Sequence, residues 1–265
     1  MKAVVVGTGA GGAMAARELA SKGFEVLILE ASGEFKPFTR RLSLVEPFRK
    51  LGLTRNEKNF SRFISAYDSV RSSEDLILFG GLTIGGSTLL TCGNMVRADN
   101  GLKEIGLNLD KEFNEIESLI DINPFPMRRW RPLTRQMFES ADRMGLNPEA
   151  TPKAVDSLKC VSCGLCEVGC RAGARWDSRR FLHDAIENGA ILRSKSPVKK
   201  VIMENGRAKG VMVGSGSSSK RFDADVVVLA AGGIGTPQIL KASNLKAEDH
   251  LWVDIVLTLG GVSKG

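Results

Sequence analysis

Histidine, tyrosine and tryptophan are scarce in this sequence, at two, one and three residues among 265. Two histidines leave few ordinary general bases for catalysis. Aromatics make up only 6%, which leaves little side-chain surface for stacking nucleic-acid bases. A run of about 18 apolar residues is missing, so no membrane-spanning helix is expected. The N-terminus from Met1 to Gly7 enters a strand-like run with no small-residue cleavage site behind it. No secretory signal is therefore expected, and a cytoplasmic location is the default. With 43% hydrophobic and 25% charged residues, the balance is that of a globular protein and excludes disorder and coiled coil. The length suffices for one large or two modest domains around a sizeable core.

Glycine is in excess, at 29 residues, and so is positive charge, at a net +7. Surplus glycine points to tight turns or to places where backbone approaches a ligand. Residues 127–180 hold 11 Lys and Arg against 6 Asp and Glu. No nucleic-acid-binding module accompanies that stretch, so it reads as a basic surface beside something anionic, and no nucleic-acid partner is expected.

The opening residues carry the first chemistry. Val4-Val5-Val6 runs into Gly7-Thr8-Gly9-Ala10-Gly11-Gly12, a G-x-G-x-x-G turn, and then into a strong helix former, Ala13 to Ala20. Phe24 to Leu29 is a second buried strand and ends at Glu30, 23 residues after Gly7. Strand, glycine turn, helix, strand and acid form a dinucleotide-binding βαβ unit. Gly7 permits the turn, Gly9 lets backbone approach a pyrophosphate, and Gly12 lets helix pack on strand. Ala10 and Gly11 open a helix N-terminus that favours phosphate. Glu30 is placed to accept two ribose hydroxyls.

Further along, Pro197–Met203 and Lys209–Val213 flank Asn205-Gly206 and read as a hairpin. A third apolar strand, Ala224 to Ala230, leads into the small-residue loop Ala231-Gly232-Gly233. Between the two halves lies a second glycine-rich run, Gly80-Gly81-Leu82-Thr83-Ile84-Gly85-Gly86-Ser87-Thr88-Leu89-Leu90-Thr91-Cys92-Gly93-Asn94.

Taken in order, these motifs resemble the N-terminal part of the glucose–methanol–choline (GMC) family of FAD-dependent oxidoreductases, over about residues 3–100 and 160–265. The resemblance implies an α/β fold: a Rossmann-like FAD-binding domain with a βαβ opening, a central parallel sheet and a β-hairpin or meander, plus a helical insertion. It implies that Gly7, Gly9, Ala10, Gly11, Gly12 and Glu30 hold the ADP part of FAD. Gly85, Gly86, Ser87 and Thr88 match the family's G-G-[ST]-[ST] run against flavin and pyrophosphate. The family's Asn is replaced by Thr91, with Asn94 nearby. Val198 stands where the family's backbone meets the adenine, and Ala231, Gly232 and Gly233 would lie against the pyrophosphate.

The division expected is residues 1–100 and 181–265 as two parts of the FAD-binding domain, 101–159 as a helical substrate-side insertion and 160–180 as a cysteine motif. In the insertion, helical spacing runs over Glu112–Ile120 and Leu133–Met144, with Pro124, Pro126 and Pro132 between them. Its Met, Phe and Trp residues read as core packing.

Four of the five cysteines fall in eleven residues, Cys160, Cys163, Cys166 and Cys170, spaced C-x₂-C-x₂-C-x₃-C. Bacterial ferredoxins wrap an iron–sulfur cubane with this run, although there the fourth Cys ligates a second cluster. Two ligand sets are therefore open for a [4Fe–4S] cluster: the four of the run, or the first three with Cys92. Zinc sites favour two knuckles across a long spacer and disulfides an oxidising compartment; zinc, and plain thiols or disulfides, remain as the alternatives. Arg171, Arg175, Arg179 and Arg180 either offset the cluster's negative charge or form a solvated helix face.

In the GMC family a His with a His or Asn partner takes the alcohol proton. Neither His183 nor His250 stands in that motif. The chain stops at Leu259–Gly265, where the resemblance places the start of the substrate sheet. The expectation is a fragment lacking the C-terminal substrate domain, or a chain completed by a second polypeptide. Two functions follow: a dehydrogenase for CH–OH groups of an alcohol, sugar or polyol that passes electrons from flavin to an iron–sulfur cluster and on to an acceptor protein, or an electron-transfer subunit with no small-molecule substrate of its own.

Overall fold

Strand β1 (Lys2–Val6) is a run of small and β-branched apolar residues, because both of its faces are covered. Side chains alternate across a strand. Ala3 and Val5 enter one buried cluster, with Ala13, Ala16, Ala20, Val26 and Ile28. Val4 and Val6 enter a second, with Leu29, Val201, Val211 and Ile239. The computed structural model describes residues 1–37, 39–53, 67–71, 77–248 and 250. The stretch Leu259–Gly265, on which the expectation of a missing substrate domain rested, lies outside them.

Helix α1 (Ala10–Ser21) returns to β2 (Glu25–Leu29), which lies parallel to β1 with Val5 opposite Ile28. Later segments complete a four-stranded parallel sheet, in the order β11 (Val226–Leu229), β1, β2, β7 (Ile191–Arg193). This is the parallel sheet expected. On the first face, α1 presents Gly12, Ala13, Ala16 and Ala20, residues small enough for close approach. A helix at Arg179–Glu187 packs beside α1, tied by Arg17 Nε to Asp184 Oδ2 at 3.1 Å. Ile28 is fully buried there, so Ile28→Ala is expected to cost about 2–5 kcal/mol, read as a lower urea midpoint at unchanged m-value.

The second face is covered by an antiparallel meander of β8 (Val198–Glu204), β9 (Arg207–Val213) and β10 (Lys220–Asp223). The expected hairpin turn is there: Asn205 and Gly206 both have positive φ, 51° and 74°, as a type I′ turn requires. The segment after β11 differs from expectation. It is not a loop but a helix, Gly232–Ala242, with Pro237 inside it. Glycine at the start and proline within the second turn hide a helix from periodicity alone.

A second hairpin, β3 (Tyr67–Arg71) with β4 (Ile77–Gly81), leads into the glycine-rich segment. The insertion is helical as expected, with helices at Asp99–Glu104, Asp110–Leu119 and Pro132–Arg143, and a short bridge of β5 (Asn123–Pro124) to β6 (Pro152–Lys153). Its methionines are not the core packing expected of them, although Ile120 is buried and Ile116, Leu119 and Ile122 pack against the first cluster. Met127, Met137 and Met144 are exposed, while Trp130 and Phe138 pack edge-to-face at 5.1 Å. The helix Pro132–Arg143 buries no residue, because no layer among the described residues covers it.

Candidate functional site

Three glycine-rich turns converge at the carboxyl ends of β1 and β11. Gly7 has φ of +99°, and a Cβ there would stand 2.3 Å from the Ala230 carbonyl oxygen. Gly12 is equally fixed, since its Cβ would stand 2.1 Å from the Gly7 carbonyl oxygen. The first turn of α1 thus lies directly on the end of β1 and against β11. A Cβ on Gly86 would meet Gly9 at 2.9 Å, so the second glycine run joins the first. In an open parallel sheet this crevice, where chain connections diverge to either side, is where ligands bind.

Gly9, Gly11, Gly232 and Gly233 contrast with these. A Cβ at any of the four meets nothing within 4 Å. Two helices begin at this place, α1 and Gly232–Ala242, and neither has a side-chain cap. The first N–H groups of a helix have no partner inside it and carry its positive end. Open space over uncapped helix starts fits the pyrophosphate of a dinucleotide.

Glu30, at the end of β2, is 6% exposed. Its Oε2 accepts from Thr8 N–H at 3.1 Å and Thr8 Oγ1–H at 2.5 Å, and Oε1 accepts from Ser32 N–H at 3.1 Å. A carboxylate has roughly four acceptor positions, so about one stays open for a ribose hydroxyl in this arrangement. Val198 lies near this acidic end. Two residues before it, Ser196 N–H donates to the Glu30 carbonyl, and Val198 itself packs with Leu29.

Sequence reasoning did not single out Thr8, Thr83 or Ser178, which tie the turns together with Gly85, Ser87 and Thr88. Thr8 Oγ1 also accepts from Gly85 N–H at 3.0 Å. Ser178, fully buried, is 2.9 Å from the Thr8 carbonyl and 3.0 Å from the Gly85 carbonyl, and its N–H donates to Thr88 Oγ1. Thr88 donates back to the Gly85 carbonyl at 2.6 Å, and Ser87 Oγ accepts from Gly81 N–H. Thr83 binds the Gly33 carbonyl and Phe35 N–H. Small hydroxyl residues buried between glycine turns were the available signal. Asn94 is placed elsewhere: it is exposed, and its Oδ1 accepts from Lys153 Nζ at 2.5 Å.

All five cysteines are free thiols and half-buried, so the disulfide alternative is not formed. Cys92 donates to Glu167 Oε1 at 3.5 Å. Burial pushes the Cys166 thiol up from its ordinary value, a shift that Arg175 opposes and that Cys170 and Cys163 reinforce. Burial, then the Glu167 carboxylate and then Cys166, raise Cys92 as well. Four sulfurs 2.3 Å from one zinc stand about 3.8 Å apart, yet no three thiols gather within 4.8 Å; among the described residues the only such group is His183, Asp184 and Glu187.

Of the four arginines, Arg175 is the buried one. It is 3% exposed, and its guanidinium donates to the carbonyls of Thr88 and Leu89 and to Thr91 Oγ1. Burial lowers its pKa, countered by Asp177 and by Cys170, Cys166 and Cys92. Arg179 instead pairs with Asp177, and Arg171 and Arg180 are exposed.

A family model for GMC oxidoreductases matches residues 1–261. The chain belongs to the GMC oxidoreductase family. This is a family of FAD-dependent enzymes. Among its relatives, the long-chain-alcohol oxidase FAO4B of Arabidopsis thaliana is 29% identical over 272 residues, covering 92% of this chain and 34% of that protein. The uncharacterized GMC-type oxidoreductase Rv0492c of Mycobacterium tuberculosis is 28% identical over 279 residues, covering 96% of this chain and 41% of its own length. This GMC chain therefore spans well under half of those relatives. In fold it is similar to pyridoxine 4-oxidase from Mesorbium loti, with a TM-score of 0.63 at 17% identity, over 92% of this chain and 52% of that one. Formate oxidase from Aspergillus oryzae follows, at a TM-score of 0.57 and 18% identity, over 92% of this chain and 47% of that one. None of the helices among the described residues is long and apolar enough to cross a membrane.

Proposed function

We propose that this GMC chain is the FAD-binding portion of a dehydrogenase that oxidises a CH–OH group of an alcohol, sugar or polyol and sends the electrons through a [4Fe–4S] cluster to an acceptor protein. The carrying observation is the open space over Gly9, Gly11, Gly232 and Gly233, beside two uncapped helix starts. FAD, when bound, supplies the acceptor for the substrate hydride, and the cluster a one-electron exit.

The chain's own residues bind and orient. The N–H groups of Ala10, Gly11 and Gly12 hold phosphate oxygens at the start of α1. Glu30 takes a ribose hydroxyl while Thr8 fixes its carboxylate. Ser178 and Thr88 hold the Gly85–Thr88 turn against the fingerprint, so that both sides of the cofactor site move as one body. The long-chain-alcohol oxidases among the relatives support a CH–OH substrate. Neither histidine is assigned as the base that takes the hydroxyl proton: His183 is exposed beside Glu187 on the helix Arg179–Glu187, and His250 is exposed.

The test is an absorption spectrum of anaerobically purified protein before and after dithionite, with iron and acid-labile sulfide assayed. Flavin bands over a broad bleaching shoulder, with about four irons per flavin, are expected. Flavin without iron would remove the cluster from this reading and leave a simpler flavoenzyme. Protein with neither would sink both parts. Rapid hydrogen peroxide formation with substrate would argue for an oxidase, because a cluster beside the flavin offers electrons a faster way out than oxygen.

A further inference from the structure

We infer that Thr8 is the positioning residue that sets cofactor specificity at the adenosine end of the site. Its hydroxyl holds the Glu30 carboxylate still. The carboxylate then reads an unsubstituted ribose and rejects one that carries a 2′-phosphate or lacks its hydroxyls. The inference rests on the FAD part of the reading above and is independent of the cluster. It places the origin of that specificity in the second glycine run, 77 positions along the chain from Thr8, and not in the acid alone.

Glu30 is fixed first through its backbone. Its N–H donates to the Arg193 carbonyl at 2.9 Å, and its carbonyl accepts from Ser196 N–H at 2.8 Å. Those bonds decide where the side chain starts, but they leave its carboxyl torsion broad. Thr8 closes that freedom. Its N–H, at 3.1 Å, and its Oγ1–H, at 2.5 Å, both donate to Oε2, which fills the acceptor positions of that oxygen. Ser32 N–H takes one position on Oε1, at 3.1 Å. The position left open belongs to Oε1, so one oxygen serves the protein and the other meets the ribose.

Thr8 is fixed in its turn from the other side. A threonine hydroxyl carries a single proton and rotates to suit its neighbours. Here Oγ1 also accepts from Gly85 N–H at 3.0 Å. With that lone pair engaged, the proton is left for Glu30. Thr8 is 1% exposed, so water does not compete for either bond. The Ser178 hydroxyl lies 2.9 Å from the Thr8 carbonyl and 3.0 Å from the Gly85 carbonyl, which holds the two backbones at this spacing. The order of dependence runs from Gly85 to Thr8, from Thr8 to Glu30 and from Glu30 to the ribose.

A fixed carboxylate discriminates in two ways. A ribose hydroxyl donates to the open Oε1 position, a charge-assisted bond that a deoxy sugar does not make. A 2′-phosphate brings like charge against a buried group that cannot swing aside, which builds repulsion against the wrong ligand. A carboxylate released from Thr8 loses both properties. It turns about its own torsions, meets the hydroxyl for part of the time, and moves off when a phosphate approaches. What the threonine hydroxyl supplies is preorganisation of an acid that is present in either case.

The experiment measures ADP, 2′,3′-dideoxy-ADP and 2′-phospho-ADP as competitors of FAD in full-length protein depleted of flavin. Wild type, Thr8→Val, Thr8→Ala and Thr8→Ser are compared, with melting curves in the absence of nucleotide to report the fold. Wild type is expected to prefer ADP over each of the other two by about tenfold or more. Thr8→Val and Thr8→Ala are expected to bring both ratios to within about threefold of unity. Thr8→Ser keeps the hydroxyl and is expected to restore the wild-type ratios. A merely structural threonine would weaken all three nucleotides in parallel, so unchanged ratios in folded Thr8→Val or Thr8→Ala would overturn the inference. Wild-type ratios near unity, or ratios lost in folded Thr8→Ser, would overturn it too. Those two measurements refute it by themselves, so a hydroxyl-free variant that fails to fold does not shield it. Wild type that binds neither FAD nor ADP would overturn the FAD reading as well, and the iron count bears on neither result.

Discussion

Gly9→Ala is expected to leave the protein folded and to strip it of flavin, whereas Gly12→Ala, three residues on, is expected to damage the fold itself. The two glycines differ in what surrounds them. At Gly9 the backbone has φ −63° and ψ −172°, which alanine adopts freely. A Cβ there points into empty space, so stability without cofactor is expected to stay within about 0.5 kcal/mol. If that space is where the pyrophosphate approaches the backbone, a methyl group pushes it away. An affinity loss of about tenfold or more then follows, equal to roughly 1.4 kcal/mol. At Gly12 the added Cβ would stand 2.1 Å from the Gly7 carbonyl oxygen. No flexible side chain can yield, and α1 must lift off β1, at about 1–3 kcal/mol and several degrees in Tm. Thermal melts with and without added FAD, together with flavin-to-protein ratios, separate the two effects. A Gly9→Ala protein that keeps stoichiometric flavin at unchanged affinity would sink the assignment of that space to the cofactor.

The same contrast explains how much was legible in the sequence. Local rules reached what a short segment decides for itself: the apolar β-branched run of β1, the helix former after the glycine fingerprint, the turn at Asn205-Gly206 and the fingerprint itself. They did not reach contacts made across the chain. Thr8 is an unremarkable residue inside G-x-G-x-x-G until Gly85 is placed 3.0 Å from its hydroxyl. Ser178 lies 170 positions from Thr8, and no spacing rule connects them. The insertion failed differently. Its helical periodicity was correct, but periodicity says where an apolar stripe lies and not whether another layer exists to cover it. That is why Met137 and Met144 are exposed. In the cysteine loop, spacing left two ligand sets open, and the contact of the Cys92 thiol with Glu167, 75 positions away, leaves no mark in a sequence.

That arginine sets the second large effect, in which Arg175→Lys is expected to destabilise the protein by about 3 kcal/mol or more, although it preserves the charge. The guanidinium is a planar fork that reaches the Thr88 and Leu89 carbonyls and Thr91 Oγ1 at once. A lysine offers one ammonium on a flexible stem and cannot span acceptors that diverge in this way. At least one carbonyl then loses its partner in a region closed to water, where Arg175 is 3% exposed and Leu89 is 2% exposed. The loss passes to the flavin side, because the segment 85–91 that Arg175 anchors also carries Gly85 and Thr88, the partners of Thr8 and Ser178. One substitution on the cysteine side is therefore expected to lower flavin occupancy and the urea midpoint together. Arg171→Lys, at an exposed position of the same loop, is expected to stay within about 0.5 kcal/mol of wild type. If Arg175→Lys unfolds at the wild-type urea midpoint with full flavin, the arginine is not the tie between the two halves of the site. A drop in both readings would mean that the thiols and the glycine cradle are held by one buried side chain.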